Sequence, residues 1–118
     1  MRDARPKRTL AALALLAGVG ASGVAQAQES LTVRTTYYVD RGTTHSGTQT
    51  RAGVAACSWG FATGTVLRFS DGRTVTCEDR GRLGNDQGWV DVWVPSLEVG
   101  RREIAGVYGT HATVEVLR

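Results

Sequence analysis

The sequence predicts a small all-β barrel with a small amount of helix. Short runs in which apolar and polar residues alternate recur between positions 31 and 117, and turn-forming residues separate them. One segment, residues 96–105, begins with a helix start signal. Five or six short strands and one brief helix favour a closed barrel, because closure leaves no strand edge exposed.

The first four predicted strands occupy residues 31–39, 53–58, 65–69 and 73–79. In the first of them, the strict alternation is typical of a strand with one buried face. A polar loop, residues 41–50, separates it from the second strand. The dipeptide Asp71-Gly72 between the third and fourth strands predicts a tight hairpin with positive φ at both central residues.

The last third of the chain predicts a strand around Asp91, a short helix and a closing strand. Ser96 can cap a helix that runs through residue 104 or 105. Gly106 is the expected end of that helix. The closing strand, residues 111–117, has its small and apolar residues on one face.

Residues 1–27 predict a secretory signal that precedes the domain. Four basic residues before position 9 lead into a short apolar run, and Ala25-Gln26-Ala27 matches a cleavage site. A transmembrane anchor is the alternative, although the apolar run is short for a span. We expect an exported protein of the periplasm, cell wall or extracellular space, with one domain over residues 28–118 and no membrane span after processing.

The charge of the chain lies in this leader. Four of the 14 Lys and Arg residues and one of the 11 Asp and Glu residues precede position 28, so residues 28–118 hold ten of each. A neutral domain offers no electrostatic basis for binding nucleic acid. The cysteines and histidines lack zinc-site spacing. We expect no metal, no cofactor and no nucleic-acid partner, and a monomer.

Cys57 and Cys77 are the two cysteines of the chain. Export would take them to a compartment where disulfides persist. The sequence therefore predicts one bridge between them. In the chain-entropy model, closing a loop of about 20 residues stabilises the fold by on the order of 3 kcal/mol.

The stretch from Thr76 to Trp93 contains the candidate working surface. Asp79 and Asp91 each lie at or near the end of a predicted strand. Around Asp91, the even-numbered valines face one way, and the acid faces the other way between two tryptophans. An acid flanked by two indoles is unusual in a strand that serves only to fold, so the face with Asp91 is the candidate site.

An ordered set of motifs resembles the 3D domain, a double-psi β-barrel family of bacterial cell-wall proteins named for three aspartates. The motifs are Thr36-Tyr37-Tyr38, Thr44-His45-Ser46-Gly47, Gly53-Val54-Ala55-Ala56, Gly64-Thr65, Glu78-Asp79-Arg80-Gly81 and Trp89-Val90-Asp91-Val92. The match spans roughly residues 33–117. The chain is also similar to the C-terminal barrel of membrane-bound lytic transglycosylase A, and more loosely to rare lipoprotein A. The first of the family's aspartates falls at Cys57, and the loop after Gly81 differs from the family's usual loop.

The resemblance implies a six-stranded double-psi barrel and cleavage of peptidoglycan glycan strands without water. It makes Asp91 the general acid and base, with Asp79 as its supporting carboxylate. Such cleavage needs a proton on the leaving oxygen, and a carboxyl group supplies it when its pKa is raised. The alternative is structural: Asp79 accepts turn amides and Asp91 pairs with an arginine. In functional terms, the alternative is a glycan-binding barrel that has lost turnover.

The candidate substrate-binding residues are Trp89, Trp93, Arg80, Thr44, His45 and Ser46. Four of them have a structural alternative. Trp89 and Trp93 fit the core as well as a groove, Arg80 can pair with Asp79, and His45 can be an exposed loop residue. Burial in the core is expected for the third indole, that of Trp59. Glu78 is expected at a solvated edge and Asp86 in a turn.

Overall fold

Six strands close into a barrel in the computed structural model, which describes residues 29–81 and 88–117. The strands are β1 (Glu29–Tyr38), β2 (Val54–Cys57), β3 (Val66–Phe69), β4 (Thr74–Asp79), β5 (Trp89–Trp93) and β6 (His111–Leu117). Around the barrel their order is β1-β5-β2-β4-β3-β6. The predicted all-β barrel with little helix is confirmed. The predicted export signal and Asp86 lie outside the described residues.

Two of the six strand pairs are parallel. Strand β1 runs parallel to β5, and β2 runs parallel to β4, whereas the other four pairs are antiparallel. Parallel neighbours end at the same end of the barrel. The residues that follow β2 and β4 are therefore brought together, although they are 20 or more positions apart in the chain.

The alternation of the strands builds the core as expected. Val90, Val92 and Val94 are buried, as are Val114 and Val116 of β6. Apolar burial of this kind is the main favourable term in folding.

The predicted disulfide is present. It joins Cys57 of β2 to Cys77 of β4, with the two Cα atoms 5.5 Å apart. Both cysteines are buried in the barrel core.

The predicted helix begins at the expected residue and runs further than expected. The Ser96 hydroxyl accepts a hydrogen bond from the Val99 amide at 3.2 Å and caps α1 (Leu97–Gly100). A π-helical turn (Arg101–Ala105) and α2 (Gly106–Tyr108) continue it. Among the described residues, no helix is long and apolar enough to cross a membrane.

The expected helix end at Gly106 is wrong. Gly106 has helical φ and ψ, and the segment ends before Gly109, whose φ is +67°. The helix continues because Tyr108 is held: its ring stacks on Phe69 at 4.4 Å and its hydroxyl donates to Asp71. These tertiary contacts outweigh the low helix propensity of Gly106.

The hairpin between β3 and β4 is confirmed, but the expected turn type is wrong. Gly72 has φ of +96°, whereas no described residue other than glycine has positive φ, so Asp71 does not share it. Asp71 instead accepts a hydrogen bond from the Arg73 amide at 3.2 Å. This side-chain contact stabilises the turn without a left-handed aspartate.

Candidate functional site

The two aspartates lie in one row across four neighbouring strands. Asp79 of β4 is level with Ala56 of β2, Ala56 is level with Asp91 of β5, and Asp91 is level with Thr36 of β1. With strands about 4.8 Å apart, the two aspartate Cα atoms are about 10 Å apart. Ala56 is the residue of the row between the two aspartates, and it lines the same cleft.

This row opens into a cleft of about 430 Å³. Both aspartates line it together with Ala56, and the remaining lining residues are Tyr38, Asp40, Arg41, Gly42, Thr43, Thr50 and Gly81. The cleft is rich in oxygen atoms and has one described cation, Arg41, whose guanidinium donates to the carbonyl of Pro95 at 3.2 Å. A polar ligand of modest size fits such a cavity.

Asp91 is half-buried and has one hydrogen-bond partner among the described residues. The Thr36 hydroxyl donates to its Oδ1 at 2.7 Å. Burial raises the pKa of Asp91, the hydrogen bond from Thr36 opposes that rise, and the charges of Asp40 and Asp79 add to it. The expected alternative of an ion pair with arginine is not seen within residues 29–81 and 88–117. Asp91 therefore retains its proton to a higher pH than an ordinary aspartate does.

Asp79 has the opposite environment. Its Oδ1 accepts from the backbone amides of Arg80 at 2.9 Å and His45 at 3.0 Å, and its Oδ2 accepts from the Tyr38 hydroxyl at 3.0 Å. Both oxygens of Asp79 are therefore engaged, and three donors fix the orientation of its carboxyl group. The contact with the Arg80 amide is the one that the structural alternative for Asp79 anticipated. The two acids therefore differ: the carboxyl group of Asp79 accepts three hydrogen bonds, whereas that of Asp91 accepts one from the described residues.

The polar loop before β2 packs against the end of β4. The amide of Ser46 donates to the carbonyl of Glu78 at 3.0 Å, beside the contact of His45 with Asp79. Within the loop, the buried hydroxyl of Thr44 bonds those of Ser46 and Thr48. These bonds stabilise the loop conformation that brings the His45 amide to Asp79. Contact of Thr44, His45 and Ser46 with a substrate stays a prediction.

Glu78 anchors the same loop. Its carboxylate pairs with Arg51 at 2.8 Å and accepts from Thr48, and both partners hold the pKa of Glu78 below its usual range. The expectation of a solvated edge residue is incorrect for its side chain, which is largely covered. The ion pair could not be read from the sequence, because Arg51 is 27 positions away.

Arg80 does not pair with Asp79 through its side chain. The residue is 5% exposed, and its guanidinium donates to the carbonyls of Cys57, Ser58 and Phe61 at 2.6–3.2 Å. A further bond at 2.9 Å reaches the Thr63 hydroxyl. Arg80 thereby organises the turn that follows β2, and the expected ion pair with Asp79 is wrong. Its expected contact with substrate stays a prediction.

The three tryptophans occupy three environments. Trp93 is 6% exposed, and its indole N–H donates to the carbonyl of Asp40 at 2.9 Å. Trp89 is half-buried: its indole N–H donates to the Thr36 hydroxyl at 2.9 Å, and the Arg34 guanidinium lies 4.1 Å from its ring centroid. Trp59 was expected in the core and is 48% exposed, so that expectation is wrong. Substrate binding by Trp89 and Trp93 stays a prediction.

Thr36, Tyr38 and Asp40 line or support the site and were missed as site residues. The signal for the first two was present: they occupy the even-numbered face of the first strand, opposite the apolar face. What the sequence could not show is that β1 is the parallel neighbour of β5, which sets Thr36 beside Asp91.

Comparison with protein-family models, with curated proteins and with solved structures found no match. Among the described residues, no group of three or more His, Cys, Asp and Glu side chains is arranged to hold a metal ion.

Proposed function

We propose that the protein is a member of the 3D-domain family that cleaves peptidoglycan glycan strands by the lytic-transglycosylase reaction. Asp91 is the general acid and base, and Asp79 is the supporting carboxylate. The observation that carries the proposal is the unlike environment of two acids in one cleft. Pairs of titratable groups with divergent environments are a common sign of acid and base roles.

The first step is protonation of the leaving oxygen. Protonated Asp91 gives its proton to the glycosidic oxygen while the bond from that oxygen to C1 breaks. The anomeric carbon then carries oxocarbenium-like positive charge. Asp79, held by three donors, supplies a fixed negative charge across Ala56 from Asp91. Preorganised charge of this kind stabilises the transition state without reorganisation.

The second step closes a ring within the sugar. The C6 hydroxyl of the same sugar attacks C1 and passes its proton to Asp91, which regenerates the acid and leaves a 1,6-anhydro end. One acid and base suffices because the nucleophile belongs to the substrate. A hydrolase needs a second carboxylate to activate water. Three of the roughly four acceptor sites of Asp79 are already engaged, which leaves it less suited to that task.

The disulfide bears on the position where the family's first aspartate is replaced. Cys57 lies in the core cluster with Cys77, whereas its neighbour Ala56 lines the cleft. A side chain at position 57 that faces the core has a scaffold role. This supports retained turnover in a chain with two of the three aspartates.

The decisive experiment is product analysis on purified glycan strands. Mass spectrometry separates anhydro ends from hydrated ends by one water, and we expect anhydro ends only. Asp91→Asn should abolish turnover, because the amide is near-isosteric and cannot deliver the proton. Glu115→Gln is the matched control: it makes the same chemical change at an exposed ion pair with Arg68, and it should leave turnover unchanged.

The second candidate function is a glycan-binding barrel without turnover. The departure at Cys57 favours it, since the position carries an aspartate in the family. This candidate predicts no products and equal glycan affinity in wild type and Asp91→Asn. Hydrated ends would reject both candidates in favour of a hydrolase.

A further inference from the structure

Trp59 is the most exposed tryptophan among the described residues. Its side chain belongs to the turn between β2 and β3, and 48% of its surface is accessible. A tryptophan left on a surface forgoes a large apolar burial. An exposed ring that its neighbours hold in place is a candidate contact for a binding partner.

Trp59 is held from two sides. The Arg80 guanidinium lies 4.5 Å from its ring centroid, and that guanidinium is itself fixed by four hydrogen bonds to residues 57–63. The His45 ring meets the indole nearly at right angles, at 5.1 Å between centroids. The indole is therefore ordered before any ligand arrives, which lowers the entropy cost of binding.

The ring is connected to the aspartate cleft through both of these contacts. Arg80 follows Asp79 directly, and the His45 amide donates to Asp79 Oδ1. Trp59 lies two residues after the end of β2, and Arg80 lies one residue after the end of β4, its parallel neighbour. The exposed indole therefore lies at the same end of the barrel as Asp79, which lines the cleft.

We infer that Trp59, with His45 at its edge, is a stacking subsite for a sugar ring of the glycan strand beside the aspartate cleft. The inference rests on the proposed function and deepens it. An aromatic face carries negative charge density, and the C–H bonds on the flat face of a pyranose are its complement. A polymeric substrate extends past the bond that is cleaved, so a subsite outside the cleft adds affinity and register.

The test uses a tetrasaccharide of β-1,4-linked N-acetylglucosamine and the indole N–H signals in a nitrogen–proton correlation spectrum. The N–H groups of Trp89 and Trp93 donate to groups within the protein, to Thr36 and Asp40. Trp59→Phe assigns the remaining signal by its loss. We expect the Trp59 signal to move and saturate with added tetrasaccharide, and maltotetraose to move it far less.

Affinity measurements complete the test. Trp59→Ala should weaken the Kd for the tetrasaccharide by about tenfold, and Trp59→Phe by less, because a smaller ring retains part of the stacking. Leu97→Ala is the matched control: it also truncates an exposed large apolar side chain, 55% accessible, and it should leave the Kd unchanged. Circular dichroism of each variant confirms that the barrel is retained.

The outcomes separate this inference from the proposed function. Unchanged affinity in Trp59→Ala, with Asp91-dependent anhydro products still formed, overturns the subsite and leaves the enzyme in place. Weakened affinity without any product supports the subsite and rejects cleavage. A wild-type protein that binds no tetrasaccharide and shows no movement of the Trp59 signal overturns the subsite, and a protein partner then becomes the better occupant.

Discussion

The Thr36 hydroxyl donates a 2.7 Å hydrogen bond to Asp91 from the level position on the neighbouring parallel strand. The direction of that bond is set by Trp89. The indole N–H of Trp89 can only donate, and it donates to the Thr36 oxygen at 2.9 Å. The hydroxyl proton of Thr36 is thereby directed to Asp91, and the ordered chain Trp89–Thr36–Asp91 orients the carboxyl group proposed to move the proton.

Thr36→Val should raise the pKa of Asp91 further. The hydrogen bond from Thr36 stabilises the charged carboxylate and lowers this pKa, so its removal leaves burial less opposed. The limb of the pH–rate profile that reports the ionisation of Asp91 should move to higher pH. Carboxyl-carbon NMR of labelled aspartate follows the same titration directly.

Thr36→Ser is the control for this prediction. Serine keeps the hydroxyl and lacks the methyl group, whereas valine keeps the methyl group and lacks the hydroxyl. The serine variant should therefore keep the pKa of Asp91 near the wild-type value. A Thr36→Val protein whose Asp91 titrates as in wild type would contradict the direction assigned to the bond.

Asp91→Asn should increase the free energy of unfolding at pH 7. Burial raises the pKa of Asp91 in the folded state, so the native protein holds this proton more tightly than the unfolded chain. Stability from this group is present at pH below the unfolded pKa of about 3.9 and is lost as pH rises through the folded pKa. The amide does not titrate, and so avoids that loss.

Glu78→Gln should change the free energy of unfolding in the opposite direction. Arg51 and Thr48 lower the pKa of Glu78, so its stabilising contribution is present above the unfolded pKa of about 4.3 and is lost as pH falls. We expect this variant to be less stable than wild type at pH 7. Urea unfolding at several pH values measures both variants, and a less stable Asp91→Asn at pH 7 would argue against a costly buried carboxylate.

The barrel strands could be predicted because their signal is local. Alternating residues such as Val90 and Val92 specify a buried face within a few positions, and two cysteines allow one pairing. The predicted export and the small size of the domain gave the reason to expect the bridge. These inferences need no knowledge of which strands are neighbours.

The missed parts of the site depend on tertiary contacts. Trp59 is exposed because buried Arg80, 21 positions later, binds the carbonyls of the turn around it. No periodicity marks that turn, so the usual burial of tryptophan was the reasonable and incorrect expectation. The partnership of Thr36 with Asp91 likewise required the parallel pairing of β1 with β5, which alternation within one strand does not encode.

Reduction of the Cys57–Cys77 bridge should lower the free energy of unfolding by about 2–5 kcal/mol. The bridge links neighbouring parallel strands in the core and reduces the number of conformations open to the unfolded chain. Denaturant unfolding with and without reductant measures the loss. Thiol titration of the denatured, unreduced protein should find no free thiol, and two free thiols would contradict the bridge.

Gly100→Ala should destabilise the fold by about 1–3 kcal/mol through overpacking. A methyl group at Gly100 would lie 2.2 Å from the ring of Tyr37, a β1 residue packed against the core. The ring has to move, and β1 also carries Thr36. Val107→Ala, at an exposed position of the same helical segment, is the control with little expected effect. Thermal unfolding compares the two, and equal stability of Gly100→Ala and wild type would show that the Tyr37 ring yields freely.

Tyr38→Phe tests whether Asp79 acts as a held charge. Burial and the neighbouring Asp79 raise the pKa of Tyr38 above its usual range, so its hydroxyl remains a donor to Asp79 Oδ2 at 3.0 Å. Without it, two backbone amides alone hold the carboxylate. Hydrogen bonds to charged groups are worth about 1.5–3 kcal/mol, so we expect turnover of glycan strands to fall by about tenfold or more. The KM should change little, because the hydroxyl is already engaged with Asp79.

Tyr37→Phe is the control: it removes the same atom from the core-packed neighbour and should leave turnover unaltered. Steady-state assays of the three proteins decide the matter: equal kcat in wild type and Tyr38→Phe would mean that two amides hold Asp79 well enough, and Tyr38 would then have no positioning role.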